Sequence, residues 1–101
     1  MIVYNLAMKV DHTIHDEWIE WQKNEHIPDT MATGLFADYK FFRLLEQDET
    51  DGLTYVIQYF AADIDRYQKY IDEYSATLRK KAFARWGNRF ITFHTVMQVV
   101  Q

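Results

Sequence analysis

An α+β fold, four antiparallel strands with two helices on one face of the sheet, is predicted by three features of this 101-residue chain. Segments of strand and helix periodicity alternate in the order βαββαβ. The strands carry apolar side chains on both faces. The chain also holds three Trp, seven Tyr and seven Phe, a heavy aromatic load for one small domain spanning 1–101. A sheet covered by helices on one side needs only one apolar face per strand. The second apolar face calls for another cover, and a second copy of the same chain is the simplest one.

The first strand is read from Ile2, Tyr4, Leu6, Met8 and Val10 alternating with Val3, Asn5, Ala7 and Lys9. Thr13, with Asp16 three residues on, reads as the N-cap of the first helix, whose buried stripe is Ile14, Trp18 and Trp21. Pro28 disfavours helical geometry at Ile27, so the helix should end or kink near His26, with a short extra turn closed by Gly34. Phe36 to Glu46 reads as the second strand, with Tyr39, Phe41 and Leu45 on one face and Phe42 and Leu44 on the other. A polar loop from Gln47 to Gly52 follows, and Leu53 to Ala61, apolar on both sides, is the third strand. Asp63 should cap the second helix, with the stripe Ile64, Tyr67, Ile71, Tyr74 and Leu78, a break near Ser75, and a continuation through Ala82, Phe83 and Trp86. Phe90 to Val100 reads as the last strand, with Ile91, Phe93, Met97 and Val99 facing the core and Thr92, His94, Val96 and Gln98 facing away. Right-handed crossovers turn this order into a ferredoxin-like βαββαβ sheet with the first and third strands central.

A net charge of −4 with interspersed signs argues against a nucleic-acid surface. The basic stretch Arg79, Lys80, Lys81, Arg85 and Arg89 complements a helix C-terminus, with anion binding the minority reading. There is no cysteine, hence no disulfide and no thiolate metal site. No run approaches a membrane span of about 20 apolar residues, and Met1–Val10 lacks the features of a signal peptide. A cytoplasmic protein with no membrane partner is expected.

Several motifs resemble a family of small bacterial proteins, common in Bacteroidetes, characterised only as a domain of unknown function. They are Ile2-Val3-Tyr4-Asn5, Glu25-His26-Ile27-Pro28, Arg43-Leu44-Leu45-Glu46, Gln58-Tyr59-Phe60 and Trp86-Gly87-Asn88-Arg89-Phe90, and the resemblance spans nearly the whole chain. More broadly the pattern is similar to the dimeric α+β barrel superfamily, which includes cofactor-free monooxygenases, haem-degrading enzymes, muconolactone isomerases, polyketide cyclases and EthD-like proteins. Trp21 with His26-Ile27-Pro28 is similar to the EthD signature, with one residue more between Trp and His. The resemblance implies a homodimer with sheets packed face to face and an apolar pocket between each sheet and its helices. It licenses no reaction by itself.

His26, at the helix break, is the leading acid/base candidate, expected to point toward Tyr4, Trp18 and Trp21; the competing reading is a histidine that stabilises a helix end. Arg43 and Gln58 are polar residues in apolar strands that would orient a ligand, or equally pair across strands with each other, Asn5 or Glu46. Tyr4, Trp18, Trp21, Arg43 and Gln58 are thus the expected ligand-binding residues. His94 is expected on the face turned to a partner subunit. His12, His15 and Asp16 sit at a helix start as solvated caps, so no metal site is expected. Nor is a cofactor: the second helix, Asp63 to Trp86, lacks the histidine that would hold haem iron, and no glycine-rich phosphate loop or Ser–His–acid signature exists. Two functions from different classes remain: a homodimer that binds or transforms a small apolar or aromatic molecule, and a non-catalytic dimeric interaction or regulatory module with a filled core.

Overall fold

The computed structural model describes residues 1–101. Its elements are β1 (Ile2–Val10), α1 (His15–Trp21), α2 (Ile27–Met31), β2 (Asp38–Arg43), β3 (Leu53–Ala61), α3 (Ile64–Tyr70), α4 (Ala76–Trp86) and β4 (Phe90–Gln98). The sheet is antiparallel in the order β2-β3-β1-β4, so β1 and β3 are central, as the ferredoxin-like topology requires. No helix is long and apolar enough to cross a membrane.

Helix starts follow from short acidic side chains. Asp11, rather than Thr13, caps the first helix: its carboxylate accepts from the Thr13 N–H and hydroxyl, both at 2.8 Å. A 3-10 turn over His12–Ile14 then leads into α1. A carboxylate offers the stronger acceptor, and Asp16 is engaged instead with the adjacent His15. Asp63 caps α3 as expected, accepting from the Arg66 N–H at 2.9 Å.

Each helical rod widens once. Between α1 and α2 the Gln22–His26 segment forms a π turn in which the Ile27 N–H bonds to the Gln22 carbonyl. Pro28 has no N–H to give and its ring crowds the carbonyl four residues back, so the backbone kinks through a wider turn instead of stopping. The rod then runs to Met31 and ends at Gly34, whose φ is 76°. Between α3 and α4 a second π turn covers Ile71–Ser75. The extra residue in that turn rotates the following face, and the buried side of α4 becomes Leu78, Ala82 and Trp86, in line with Ser75. This corrects the expected stripe: Ile64, Tyr74 and Phe83 are exposed.

β2 is shorter than expected, because the chain leaves the sheet after Leu44, which makes one last bond from its N–H to the Thr54 carbonyl. Glu46 takes a positive φ and Asp48 accepts from Thr50 in a local turn, leaving Leu45 exposed. Gly52 closes the loop against β1, where a Cβ would lie 2.5 Å from the Val10 carbonyl oxygen.

Pairing register fixes which residues share a face. Tyr4 stands opposite Tyr59 on β3 and Val96 on β4, and Leu6 opposite Ile57 and His94. Tyr4, Leu6 and Met8 face the helices, so Thr92, His94 and Val96 do too, and Ile91, Phe93 and Met97 face away. The expected faces of β4 are therefore reversed. The core under the helices is a cluster of buried residues that includes Tyr4, Met8, Trp18, Trp21, Ile57, Tyr59 and Trp86. The far face carries Val3, Ala7, Val56 and Phe60 beside the exposed Phe42, Phe93, Ile91 and Met97. A polar row, Lys40, Gln58, Asn5 and Thr95, crosses it.

Candidate functional site

A cavity of about 350 Å³ opens between the sheet and the helices. Its sheet wall is Tyr4, Leu6, Met8, Ile57, Thr92 and His94, and Phe90 closes one side. The helical wall is built at the two π turns: Gln22 and His26 come from the first, Ser75 from the second, and Leu78, Arg79 and Ala82 from the turns of α4 that follow. Widened turns change the direction in which side chains leave the helix, and here both aim polar groups into one space.

His26 is half-buried, its ring stacked on Trp21 at 4.5 Å. Burial lowers its pKa from the ordinary histidine value to about 4; Asp29 opposes that shift and Lys81 adds to it. The imidazole is therefore neutral at physiological pH, with one N–H to donate and one lone pair to accept. Tyr70, buried beside Tyr4 at 5.8 Å, is held as a protonated phenol by burial, its pKa pushed up to about 12. The His94 ring meets the edge of Tyr4 at 5.8 Å. Gln22 is 1% exposed; its amide nitrogen donates to the Met8 sulfur at 3.8 Å, and its carbonyl oxygen has no partner. With the neutral His26 imidazole, phenols and hydroxyls along apolar walls, the arrangement can orient and polarise an oxygen of a bound molecule.

Of the residues singled out in the sequence, Tyr4 and His26 meet at this cavity. Trp18 does not reach it: fully buried, it packs against Phe41, Tyr55 and Phe90. Trp21 stands behind His26 and against Trp86. Gln58 lies on the opposite face of the sheet and donates to Asn5 at 3.2 Å, the cross-strand pairing that competed with a ligand role. Arg43 sits at the far end of β2 in a bidentate pair with Glu49, at 2.8 and 3.1 Å. There it borders a shallow cleft where Asp16, His15 and the Tyr55 hydroxyl form a chain of hydrogen bonds, 2.9 and 2.6 Å long. His12 bonds the Glu49 carbonyl and takes no part in the His15–Asp16 pair.

The sequence reading missed His94, Gln22, Ser75, Tyr70 and Arg79 as cavity residues. Gln22 left a signal, because it follows Trp18 by four residues and so puts an amide in the buried stripe. His94 left one in its strand parity, which the apolar residues beside it concealed. Ser75 stood at the expected helix break and Arg79 in the basic stretch, but their direction depends on the π turn.

Residues 1–100 match the family described as a domain of unknown function, DUF4286. The chain belongs to that family. No curated protein matches it in sequence. Its fold is shared by an ethyl tert-butyl ether d (ethd) family protein of Bacillus halodurans, with a TM-score of 0.73 at 16% identity over 99% of this chain and 100% of the other. A dimeric ferredoxin-like protein from an uncultured marine organism gives 0.71 at 14% identity, covering 99% and 94%. SnoaB, a cofactor-independent oxygenase of Streptomyces nogalater, gives 0.68 at 13% identity, covering 99% and 94%. At such identities the likeness is one of fold.

Proposed function

We propose that this DUF4286 protein is a cytoplasmic homodimer that binds a small apolar or aromatic molecule between sheet and helices, with His26 orienting the ligand's polar atom. The cavity carries the reading. Its volume of about 350 Å³ lies in the range of small-molecule sites, and its polar groups converge from three elements onto apolar walls. A filled core would have served a purely structural domain better, since empty apolar volume costs stability. His26 suits the role through its neutrality: the ring gives or takes a hydrogen bond without the desolvation cost of burying a cation. If the bound molecule reacts, His26 is the group placed to pass a proton within the cavity.

Dimerisation is supported by the far face of the sheet, where Phe42, Phe93, Ile91 and Met97 are exposed together, and by the dimeric state given for one structure of the same fold. A pair of such faces would bury about 1,600 Å². Native mass spectrometry of the purified protein tests both halves. The expected spectrum is a mass of two chains carrying a small-molecule adduct that His26→Ala weakens about tenfold, the scale of one hydrogen bond. A monomer that takes up no compound from an aromatic-acid and phenol library would overturn the reading.

A further inference from the structure

Two polar groups at the cavity, one buried and one exposed, have no partner within the protein. The Gln22 side chain is 1% exposed and its carbonyl oxygen makes no hydrogen bond within the protein. Such a group is costly to bury, and because Gln22 lines the cavity it points to a partner that arrives from outside. Arg79, at the rim, is the cavity's one formally charged residue, and no carboxylate pairs with it. Two of its neighbours in the basic stretch are used otherwise: Lys81 pairs with Asp29 at 2.9 Å, while Arg85 lies over the Trp86 ring at 4.1 Å and reaches Glu17 at 3.6 Å. Around Arg79 stand phenols rather than acids, since its charge is felt by Tyr67 and Tyr70. No carboxylate lines the cavity at all. A cation without a counter-ion at the mouth, a buried acceptor without a partner in the wall, and aromatic walls between them describe one kind of molecule.

We infer that the cavity takes a hydroxylated aromatic carboxylic acid, its hydroxyl buried against Gln22 and its carboxylate held at Arg79. The inference rests on the binding role proposed above and adds the chemical class. A ring hydroxyl satisfies the amide, and a carboxylate at the rim keeps most of its hydration while gaining the guanidinium. Tyr4, Phe90 and Leu78 supply the apolar surface that a ring would cover.

Calorimetric titration of the full-length protein with para-hydroxycinnamate, its methyl ester and cinnamate separates these elements. The hydroxy acid is expected to bind about tenfold more tightly than either the ester or the acid without the hydroxyl, one hydrogen bond or ion contact each. Arg79→Gln, an exposed change, should erase the preference for acid over ester and leave the hydroxyl preference intact. Gln22→Leu should erase the hydroxyl preference alone; should that variant fail to fold, Gln22→Met serves the same comparison. If the three compounds bind equally, or Arg79→Gln leaves the acid-over-ester ratio unchanged, the inference falls while the cavity remains a binding site. If none of the three binds, the inference falls, and the binding role is decided by the library screen above.

Discussion

Acidification should destabilise this protein through His26, by an amount that the structure sets. In the folded chain the imidazole is stacked on Trp21 and partly buried, and its pKa is about 4; in the unfolded chain it returns to 6.5. The folded state thus binds its proton less readily than the unfolded state, and stability is complete above the unfolded pKa. As pH falls below 6.5 the unfolded chain takes up a proton that the folded chain refuses, and the loss grows until the folded pKa is reached. Between pH 7.5 and 4.5 this one group should remove about 2.5 kcal/mol, from the rule that one pKa unit is worth about 1.4 kcal/mol. Urea unfolding at the two pH values, on wild type and His26→Gln, isolates the effect, because every other titrating group is common to both. The variant should lose about 2.5 kcal/mol less than wild type on acidification. Equal losses would mean that His26 is solvated, and the neutral imidazole on the cavity wall would be refuted.

Three further outcomes follow from packing. Trp18→Ala should cost about 3–5 kcal/mol, since Trp18 is 0% exposed among Phe41, Tyr55 and Phe90; thermal melting within a degree or two of wild type would contradict that placement. Gly52→Ala should lose more than about 1 kcal/mol, because φ is 152° and the added methyl meets the Val10 carbonyl, an effect read from the urea midpoint. Phe93→Lys, on the exposed far face, should yield a monomer by light scattering at tens of micromolar with little change in monomer folding; a persistent dimer would place the interface elsewhere.

The ferredoxin-like order was legible because β1 repeats with a period of two, because β3 is apolar on both sides, and because Asp63 and Gly34 punctuate the helices. β4 shows why the rest was not. Its apolar residues Ile91, Phe93 and Met97 look like a core face, yet register with β1 turns them outward and brings Thr92 and His94 under the helices. Hydrophobic patterning reports what is buried in the working assembly, including surfaces covered by a partner, and a polar-lined cavity inverts the usual reading of inside and outside. The first helix buries Ile14, Trp18 and Trp21 as expected, and the second differs for another reason. The inserted residue of the π turn at Ile71–Ser75 shifts the buried face of α4 to Leu78, Ala82 and Trp86, whereas the π turn of the first rod follows from Pro28. His26 could be picked out because the helix had to deform there. Gln58 and Arg43 could not be placed, since polarity within a strand marks a needed partner without naming it; Asn5 and Glu49 proved to be those partners.

The most direct test of the cavity as the binding site uses the four histidines as internal reporters. His26 and His94 line it, whereas His12 and His15 lie at the helix start, bonded to Glu49 and to Tyr55. Nitrogen-edited NMR of the imidazoles during titration with para-hydroxycinnamate should move the His26 and His94 resonances together and saturably, and leave those of His12 and His15 in place. Saturable movement of His15 with His26 and His94 unmoved would put the ligand in the cleft beside Tyr55 and contradict the account.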